Sequence, residues 1–359
     1  MDARCSYRAE TAGGMRAWAA LLAALAVSVV NAESGASGQQ LVETQCVSCH
    51  ALKSENDRYH IVLREGPPLI DVGNKFRREW LLKWLQAPQR IRPAGYLPFR
   101  YTVSGPDGDR IDPTLLPAHP AVTAAQAEAM VEWFFSQQRQ PVQGPATTHE
   151  ELKRGELQFR KILGCGGCHS LGGEGGLSSP ELGSARARLD AQWLRAFVSD
   201  TSMWAPACMP KVALRPTQLS AVVEFIENAP AAPALETAAT LMPIATSTAR
   251  AAPSGSAVDK SVPTDRAAML YQVYCSQCHG VNGNGKGINA PFLFVAPRDH
   301  TSIDEMGRLT DEDIFTAIRM GGQSVGKSAL MPSWAGTIAD DDIRVLVGYV
   351  RSLSARSGP

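Results

Sequence analysis

Apolar residues recur at helical spacing in short segments along the chain, and loops rich in glycine and proline separate these segments. Each loop lies between a leading and a closing amphipathic segment, and this order occurs three times. The leading segments cover residues 39–45, 152–163 and 264–274, and the closing segments cover residues 123–138, 217–228 and 340–353. A unit repeated in this way predicts three small helical domains in tandem, so the fold class that we expect is all-α.

The chain has 359 residues, which is more than a single compact core usually holds. We place the three domains at residues 33–144, 145–229 and 263–359. A short linker joins the first two domains, which we therefore expect to pack together. Residues 230–262 are rich in alanine and proline and predict a long extended linker. The third domain is accordingly expected to move partly on its own.

The N-terminal segment has the pattern of an export signal, because Arg16 precedes an apolar stretch over residues 17–30 and small residues follow it. Cleavage after Ala32 would remove residues 1–32 as a signal peptide. The apolar stretch is shorter than the roughly 18 to 20 residues that a membrane-spanning helix needs. We expect a periplasmic protein without a transmembrane span after cleavage, or one anchored by an uncleaved signal.

Six cysteines form three pairs with two residues between the partners, and a histidine follows each pair directly. The three motifs are Cys46, Cys49 and His50, then Cys165, Cys168 and His169, then Cys275, Cys278 and His279. The run C-x-x-C-H is the attachment site of c-type haem, in which both thiols bond to the haem and the histidine binds its iron. A redox dithiol or a zinc pair uses similar spacing, but three copies in an exported chain favour three covalent haem c groups.

Charge and motifs exclude several other classes of function. The 35 basic and 35 acidic residues balance, so the composition does not indicate nucleic acid or an anionic membrane surface as a partner. The sequence contains no glycine-rich phosphate loop and no nucleophile elbow. We therefore assign no catalytic side chains, and the chemistry is expected to belong to the haems.

Apart from the long linker, residues 38–353 resemble three class I cytochrome c domains. The resemblance implies that a proline carbonyl in the loop after each motif accepts a hydrogen bond from the iron-binding histidine, which fixes the orientation of the imidazole ring. Pro68, Pro180 and Pro291 occupy the matching positions, and Pro297 is an alternative to Pro291.

The same resemblance implies that a methionine sulfur binds the opposite, distal face of the iron. Met331 lies in a Leu-Met-Pro run before the last helix, and Met209 lies in a Cys-Met-Pro run at the equivalent place in the second unit. Met203 is an alternative to Met209. Cys208 is interpreted as a buried thiol without a role, with a thiolate ligand as the other possibility.

The first unit departs from the family pattern. Residues 92–99 resemble the segment that carries the methionine, but Leu97 stands where the sulfur is expected and leucine cannot bind iron. His119 and His60 are the candidate distal ligands of the first haem, and Met130 is expected to be a core residue. The remaining possibility is a haem with one open face.

These features favour a carrier of single electrons that acts as an electron-transfer subunit rather than as an independent enzyme. The expected partners are redox proteins of a respiratory chain, namely a dehydrogenase, a quinol-oxidising complex or a terminal oxidase. The alternative is a haem enzyme, or a protein that binds a gas or peroxide at an open first haem. Leu97 is the only support for that alternative.

Mass spectrometry of the denatured mature protein should show three haem additions, because thioether bonds hold haem c after unfolding. A count of two or fewer, from a strain with working haem-attachment machinery, would contradict the interpretation of the three motifs.

Overall fold

The computed structural model describes residues 36–53, 63–139, 152–204, 208–229 and 265–356. The predicted signal peptide and the long linker lie outside these residues. Helices make up about 51% of these described residues, and strands are few among them. Within the described ranges, no helix combines the length and the apolar surface that crossing a membrane requires. Buried apolar side chains gather in three clusters, one for each repeated unit of the sequence.

The first cluster lies between the helices of the first unit. These are α1 (Gly38–Gln45), α2 (Val72–Lys75), α3 (Arg78–Gln86) and α4 (Ala124–Ser136), with 3₁₀ turns at Pro98–Tyr101 and Pro113–Leu115. Capping boxes at Ser37 and Thr123 satisfy the free amides at the starts of α1 and α4. Met130 on α4 is 1% exposed and packs inside the cluster, which confirms it as a core residue.

The second cluster lies between the helices of the second unit. These are α5 (Leu152–Leu157), a π-helical turn (Gln158–Ile162), α6 (Ala185–Arg188), α7 (Ala191–Ser199) and α8 (Pro216–Glu227), with 3₁₀ turns at Cys165–Gly167 and Thr201–Met203. The Asp190 side chain caps α7 by accepting a hydrogen bond from the Trp193 amide. Pro216 suits the first turn of α8, where its missing amide hydrogen has no intrahelical partner to lose.

The third cluster lies between the helices of the third unit. These are α9 (Arg266–Tyr274), α10 (Ser276–His279), α11 (Ile303–Gly307), α12 (Asp311–Met320) and α13 (Asp340–Ala355), with 3₁₀ turns at Ala290–Phe292 and Gly322–Val325. Three acidic residues occupy the first turn of α12 and three occupy that of α13, where negative charge stabilises a helix. Tyr271 and Ile343 form the fully buried centre of the cluster.

Two short antiparallel hairpins accompany the helices in the described part of the chain. Strand β1 (Thr102–Gly105) pairs with β2 (Gly108–Ile111), and β3 (Ser170–Leu171) pairs with β4 (Glu174–Gly175). The expected all-α class therefore holds for the main elements but omits these strands. Segments of two to four residues are too short to show an alternating pattern in the sequence.

The first and second units pack against each other, as the short linker between them predicts. The Arg77 amide donates a hydrogen bond to the Arg188 carbonyl, and the Asp190 amide donates one to the Lys75 carbonyl, each at 2.9 Å. The backbone after α2 thus runs alongside the backbone after α6.

The third unit is also joined to the other two, which contradicts the expectation that it moves partly on its own. Asn289 is fully buried, accepts a hydrogen bond from the Leu177 amide at 2.8 Å and donates one to the Ser178 hydroxyl at 2.7 Å. The Asp109 carboxylate on β2 accepts a hydrogen bond from the Val281 amide at 2.7 Å. Contacts with both the first unit and the second unit therefore hold the third unit in place.

Replacing Asn289 with Ala should lower the free energy of unfolding by about 1–3 kcal/mol, because the Leu177 amide and the Ser178 hydroxyl lose their buried partner. Asn282→Ala is the control, since it removes an exposed hydrogen bond to Ser104 and should cost no more than about 0.5 kcal/mol. Urea unfolding of the haem-loaded protein measures both effects. Equal losses of unfolding free energy in the two variants would show that the buried hydrogen bonds of Asn289 stabilise the protein no more than an exposed hydrogen bond does.

Candidate haem-binding sites

Each cysteine-histidine motif forms one tight turn. The histidine amide donates a hydrogen bond to the carbonyl of the first cysteine, and the nitrogen–oxygen distance is 2.9 Å in all three motifs. The first cysteine directly follows α1 in the first motif and α9 in the third, whereas a π-helical turn precedes the second motif. Five consecutive residues therefore place two thiols and one imidazole on the same turn.

The three motif histidines donate their Nδ1 hydrogens to backbone carbonyls, since a carbonyl oxygen can only accept. The nitrogen–oxygen distances are 2.6 Å from His50 to Pro67, 2.8 Å from His169 to Pro180 and 3.0 Å from His279 to Arg298. The prediction of Pro180 is confirmed.

The other two predicted proline acceptors are wrong. In the first unit the carbonyl of Pro67 takes the place expected for Pro68, one residue later, because consecutive prolines leave the register open. In the third unit Pro291 lies in a 3₁₀ turn, and the chain approaches the imidazole of His279 only at Arg298. The acceptor is a backbone oxygen, so the position does not require proline.

The hydrogen bonds at Nδ1 leave Nε2 as the free nitrogen of each ring, in the neutral form that binds metals. Burial lowers the pKa of all three motif histidines, and for His169 to about 4. Arg92 and Arg188 add to the lowering at His169 through charge repulsion. The imidazoles are thus neutral at physiological pH.

The cysteines of the second and third motifs do not have the properties of a redox dithiol. All six are free thiols, and burial raises the pKa of Cys165 and of Cys275 to about 12. Redox-active cysteines in such motifs instead have lowered pKa values, because the thiolate is the reactive form. Buried neutral thiols beside a free imidazole nitrogen fit the attachment of haem.

The two methionines predicted as distal ligands differ in their surroundings, because Met331 packs against a hydrophobic cluster and Met209 belongs to none of the three. Met331 packs against the third cluster, and its carbonyl accepts a hydrogen bond from the Gly322 amide at 3.0 Å. Met209 is partly buried, and the neighbouring Cys208 packs against the third cluster rather than the second. Desolvation raises the pKa of the partly buried Cys208 thiol, which agrees with a neutral group. The roles of the two methionines as iron ligands stay predictions.

The structure changes the interpretation of Leu97. Together with Tyr96 and Phe99, Leu97 is part of the third cluster, where it is 2% exposed. The segment that resembles a methionine loop therefore contributes to the third cluster and not to the first. A sulfur at position 97 would lie in that core, so the missing methionine says nothing about an open face at His50.

His119 lies near His50 although the two residues are 69 positions apart in the sequence. Their ring centroids are 6.3 Å apart, and the ring planes are inclined by 55°. The His119 ring also packs on Trp84, with a centroid distance of 4.6 Å. His60, the other candidate, lies outside the described residues.

The second and third motifs lie close together, which the sequence did not indicate. Asn289 donates a hydrogen bond to the Ser178 hydroxyl at 2.7 Å. The Ser178 side chain lies close enough to Cys168, and the Asn289 side chain close enough to Cys278, to lower the pKa of the neighbouring thiol against the effect of burial. Cys168 lies near enough to Cys278 for its charge to raise the pKa of the Cys278 thiol. Ser178 and Asn289 are 111 residues apart and belong to no motif, so only the folded chain reveals their connection.

Several buried polar groups around the second motif have no hydrogen-bond partner among the described residues. They include the Nε atom of Arg188 and the indole nitrogens of Trp193 and Trp204. Buried donors without acceptors are rare in folded proteins. They fit a ligand that carries anionic oxygens, and haem has two carboxylates.

His300 was not identified from the sequence. Its ring stacks on the ring of His279 with a centroid distance of 4.2 Å, and the Tyr271 hydroxyl lies 3.2 Å from its Nδ1. Parallel rings at this separation leave no space for an iron between them. His300 therefore packs against one face of the His279 ring.

Two family models match the chain. Residues 35–138 and 152–230 match the family described as cytochrome c. Residues 262–350 match the family described as cytochrome c oxidase, cbb3-type, subunit III. No solved structure matches the chain significantly.

Gly66 leaves space for the proximal imidazole of the first motif, since a Cβ atom at this position would overlap the His50 ring. Gly66→Ala should displace the His50 ring, so that one of the three expected haems loses its native low-spin spectrum. Covalent attachment through the cysteines should persist. Gly348→Ala is the control, because a Cβ atom there meets no neighbour within 4 Å.

Visible absorption and electron paramagnetic resonance of the ferric protein measure the effect. If Gly66→Ala leaves all three haem signals unchanged, the close contact between Gly66 and the His50 ring is not part of the loaded site.

Proposed function

Since the chain belongs to the cytochrome c family, we propose that it is a periplasmic three-haem protein that passes single electrons between redox partners. Haem supplies, when bound, an iron that changes between the ferric and ferrous forms by one electron. Three domains, at residues 33–144, 145–229 and 263–359, would each hold one haem. The export signal predicted over residues 1–32 supports the periplasmic location.

The contact between the second and third motifs carries this proposal. Two side chains, Ser178 and Asn289, span the gap between Cys168 and Cys278. Cofactors attached to these cysteines would lie in neighbouring pockets of one packed body. A binding protein or an enzyme with a single working haem has no need of two attachment sites held this closely.

The side chains around each motif have defined tasks in this function. Each motif imidazole is oriented by its carbonyl partner, so that its free Nε2 would be available to bind the iron of an attached haem. The buried apolar residues of the clusters exclude water, which favours electron exchange over reaction with solvent. Sulfur ligands from Met209 and Met331 would raise the potentials of the second and third haems.

Basic residues beside the second motif complete its pocket. Arg92 comes from the first unit and Arg188 from the second, and both lie near enough to His169 to lower its pKa. These cations, with the unpaired indole nitrogens of Trp193 and Trp204, would bind the carboxylates of the second haem. The first unit thus takes part in the site of the second.

A terminal oxidase is the partner that we favour as electron acceptor. The match of residues 262–350 to subunit III of cbb3-type cytochrome c oxidase supports an oxidase-type complex. A dehydrogenase or a quinol-oxidising complex would then be the donor. The alternative of a gas- or peroxide-binding first haem loses its sequence support, because Leu97 lies in the third cluster.

Met331→Ala and Met209→Ala should each remove one sulfur-to-iron band from the near-infrared spectrum of the ferric protein and lower one reduction potential. Each should also slow the oxidation of the reduced protein by oxidase-containing membranes in a stopped-flow experiment. Met320→Ala is the control, since this side chain is 49% exposed.

Two results would contradict the proposal. If both variants keep the native near-infrared bands, Met209 and Met331 are not ligands. If the membranes do not oxidise the reduced wild-type protein, and it instead consumes peroxide, the protein is not an electron carrier to an oxidase.

A further inference from the structure

The loop that carries His119 is fixed in position by the first unit. The Val122 amide, which follows the loop, donates a hydrogen bond to the Leu85 carbonyl at the end of α3 at 3.0 Å. Pro120 restricts the backbone of His119 to extended conformations, because an α conformation before proline is sterically disfavoured. Trp84 on α3 packs against the His119 ring and donates its indole hydrogen to the Gln89 carbonyl. The His119 side chain is exposed, and its contact with helix α3 holds the ring in position.

The separation of the His50 and His119 rings matches that of two imidazoles bound to one iron. With a metal–nitrogen bond of about 2.0 Å on each side, and about 1.1 Å from nitrogen to ring centre, the ring centres lie about 6 Å apart. The observed distance is 6.3 Å. The inclination of 55° is compatible, because each axial ring can rotate about its bond to the iron.

Both rings have the same nitrogen free. Nδ1 of His50 donates to the Pro67 carbonyl at 2.6 Å, and Nδ1 of His119 donates to the Pro120 carbonyl at 2.9 Å. Nε2 is then the unprotonated nitrogen of both neutral rings and the one available to a metal. A carbonyl bonded to the other nitrogen is the usual support of a metal-binding histidine.

Two other residues considered for this position in the sequence are placed in hydrophobic cores. Leu97 lies in the core of the third cluster, and Met130 is 1% exposed inside the first cluster. We propose that His119 is the distal iron ligand of the first haem, opposite His50, so that this haem has two nitrogen ligands. The inference rests on the proposed attachment of haem at Cys46 and Cys49.

The proposal gives the first haem a separate place in the path of electrons. A sulfur ligand raises the potential of a haem relative to a nitrogen ligand, so the first haem should have a lower potential than a haem with a methionine ligand. Electrons from the donor would enter at the first haem and leave through the second or third. Filled axial positions also keep the first iron from binding peroxide or carbon monoxide.

The test compares His119→Ala with the matched variant His60→Ala. Electron paramagnetic resonance of the ferric protein should show that His119→Ala converts one of three low-spin haems to high spin, and the ferrous form should bind one carbon monoxide per chain. Added imidazole should restore the low-spin signal. His119→Met should shift one potential upward, whereas His60→Ala should match the wild type in every readout.

Three results would overturn the proposal: a high-spin haem in the wild type, a wild-type spectrum in His119→Ala, or loss of the low-spin signal in His60→Ala instead. Mass spectrometry of the same samples shows whether only the assignment of His119 is wrong or whether the proposed attachment of haem is wrong as well. Three haem additions with an unaffected spectrum reject only His119, whereas fewer additions reject the attachment on which the inference rests.

Discussion

Each motif histidine donates its Nδ1 hydrogen to a backbone carbonyl, and the chemistry of all three sites depends on this bond. It selects one tautomer, fixes the plane of the ring and leaves Nε2 as the nitrogen that can bind iron. The acceptors come from three different loop paths, which end at Pro67, Pro180 and Arg298. What the units share is therefore the position of a carbonyl oxygen beside the ring and not the residue that supplies it.

The first unit contributes to sites beyond its own motif. Its segment with Tyr96, Leu97 and Phe99 fills the third cluster, and its hairpin binds the Val281 amide through Asp109. Arg92, near the start of the same segment, lies beside His169 of the second motif. One inserted segment thus connects three cysteine-histidine motifs that the repeat alone would leave separate. The resulting packed body holds the second and third motifs close together, which is the arrangement that electron exchange requires.

The sequence predicted the repeated parts of this protein well, because they depend on local patterns. The leading segment at residues 39–45 is the helix Gly38–Gln45, and the closing segment at 340–353 is the helix Asp340–Ala355. The register of the Pro67-Pro68 loop was off by one residue, since both prolines fit the pattern. The position of Leu97, the connection through Asn289 and the approach of His119 to His50 depend on contacts between distant segments. No spacing within the sequence reports such contacts, so Leu97 was compared with a family position that it does not occupy in space.

The proposed function is that of an electron carrier whose haems have different reduction potentials. A redox titration distinguishes such a carrier most clearly from a haem enzyme or a gas-binding protein. Spectroelectrochemical titration of the intact protein should give three reversible one-electron transitions. The transition of lowest potential should belong to the haem whose spectrum shows two nitrogen ligands, and the two higher transitions to haems with sulfur ligands. Three overlapping transitions with identical spectra, or a first haem that does not cycle reversibly, would contradict the account.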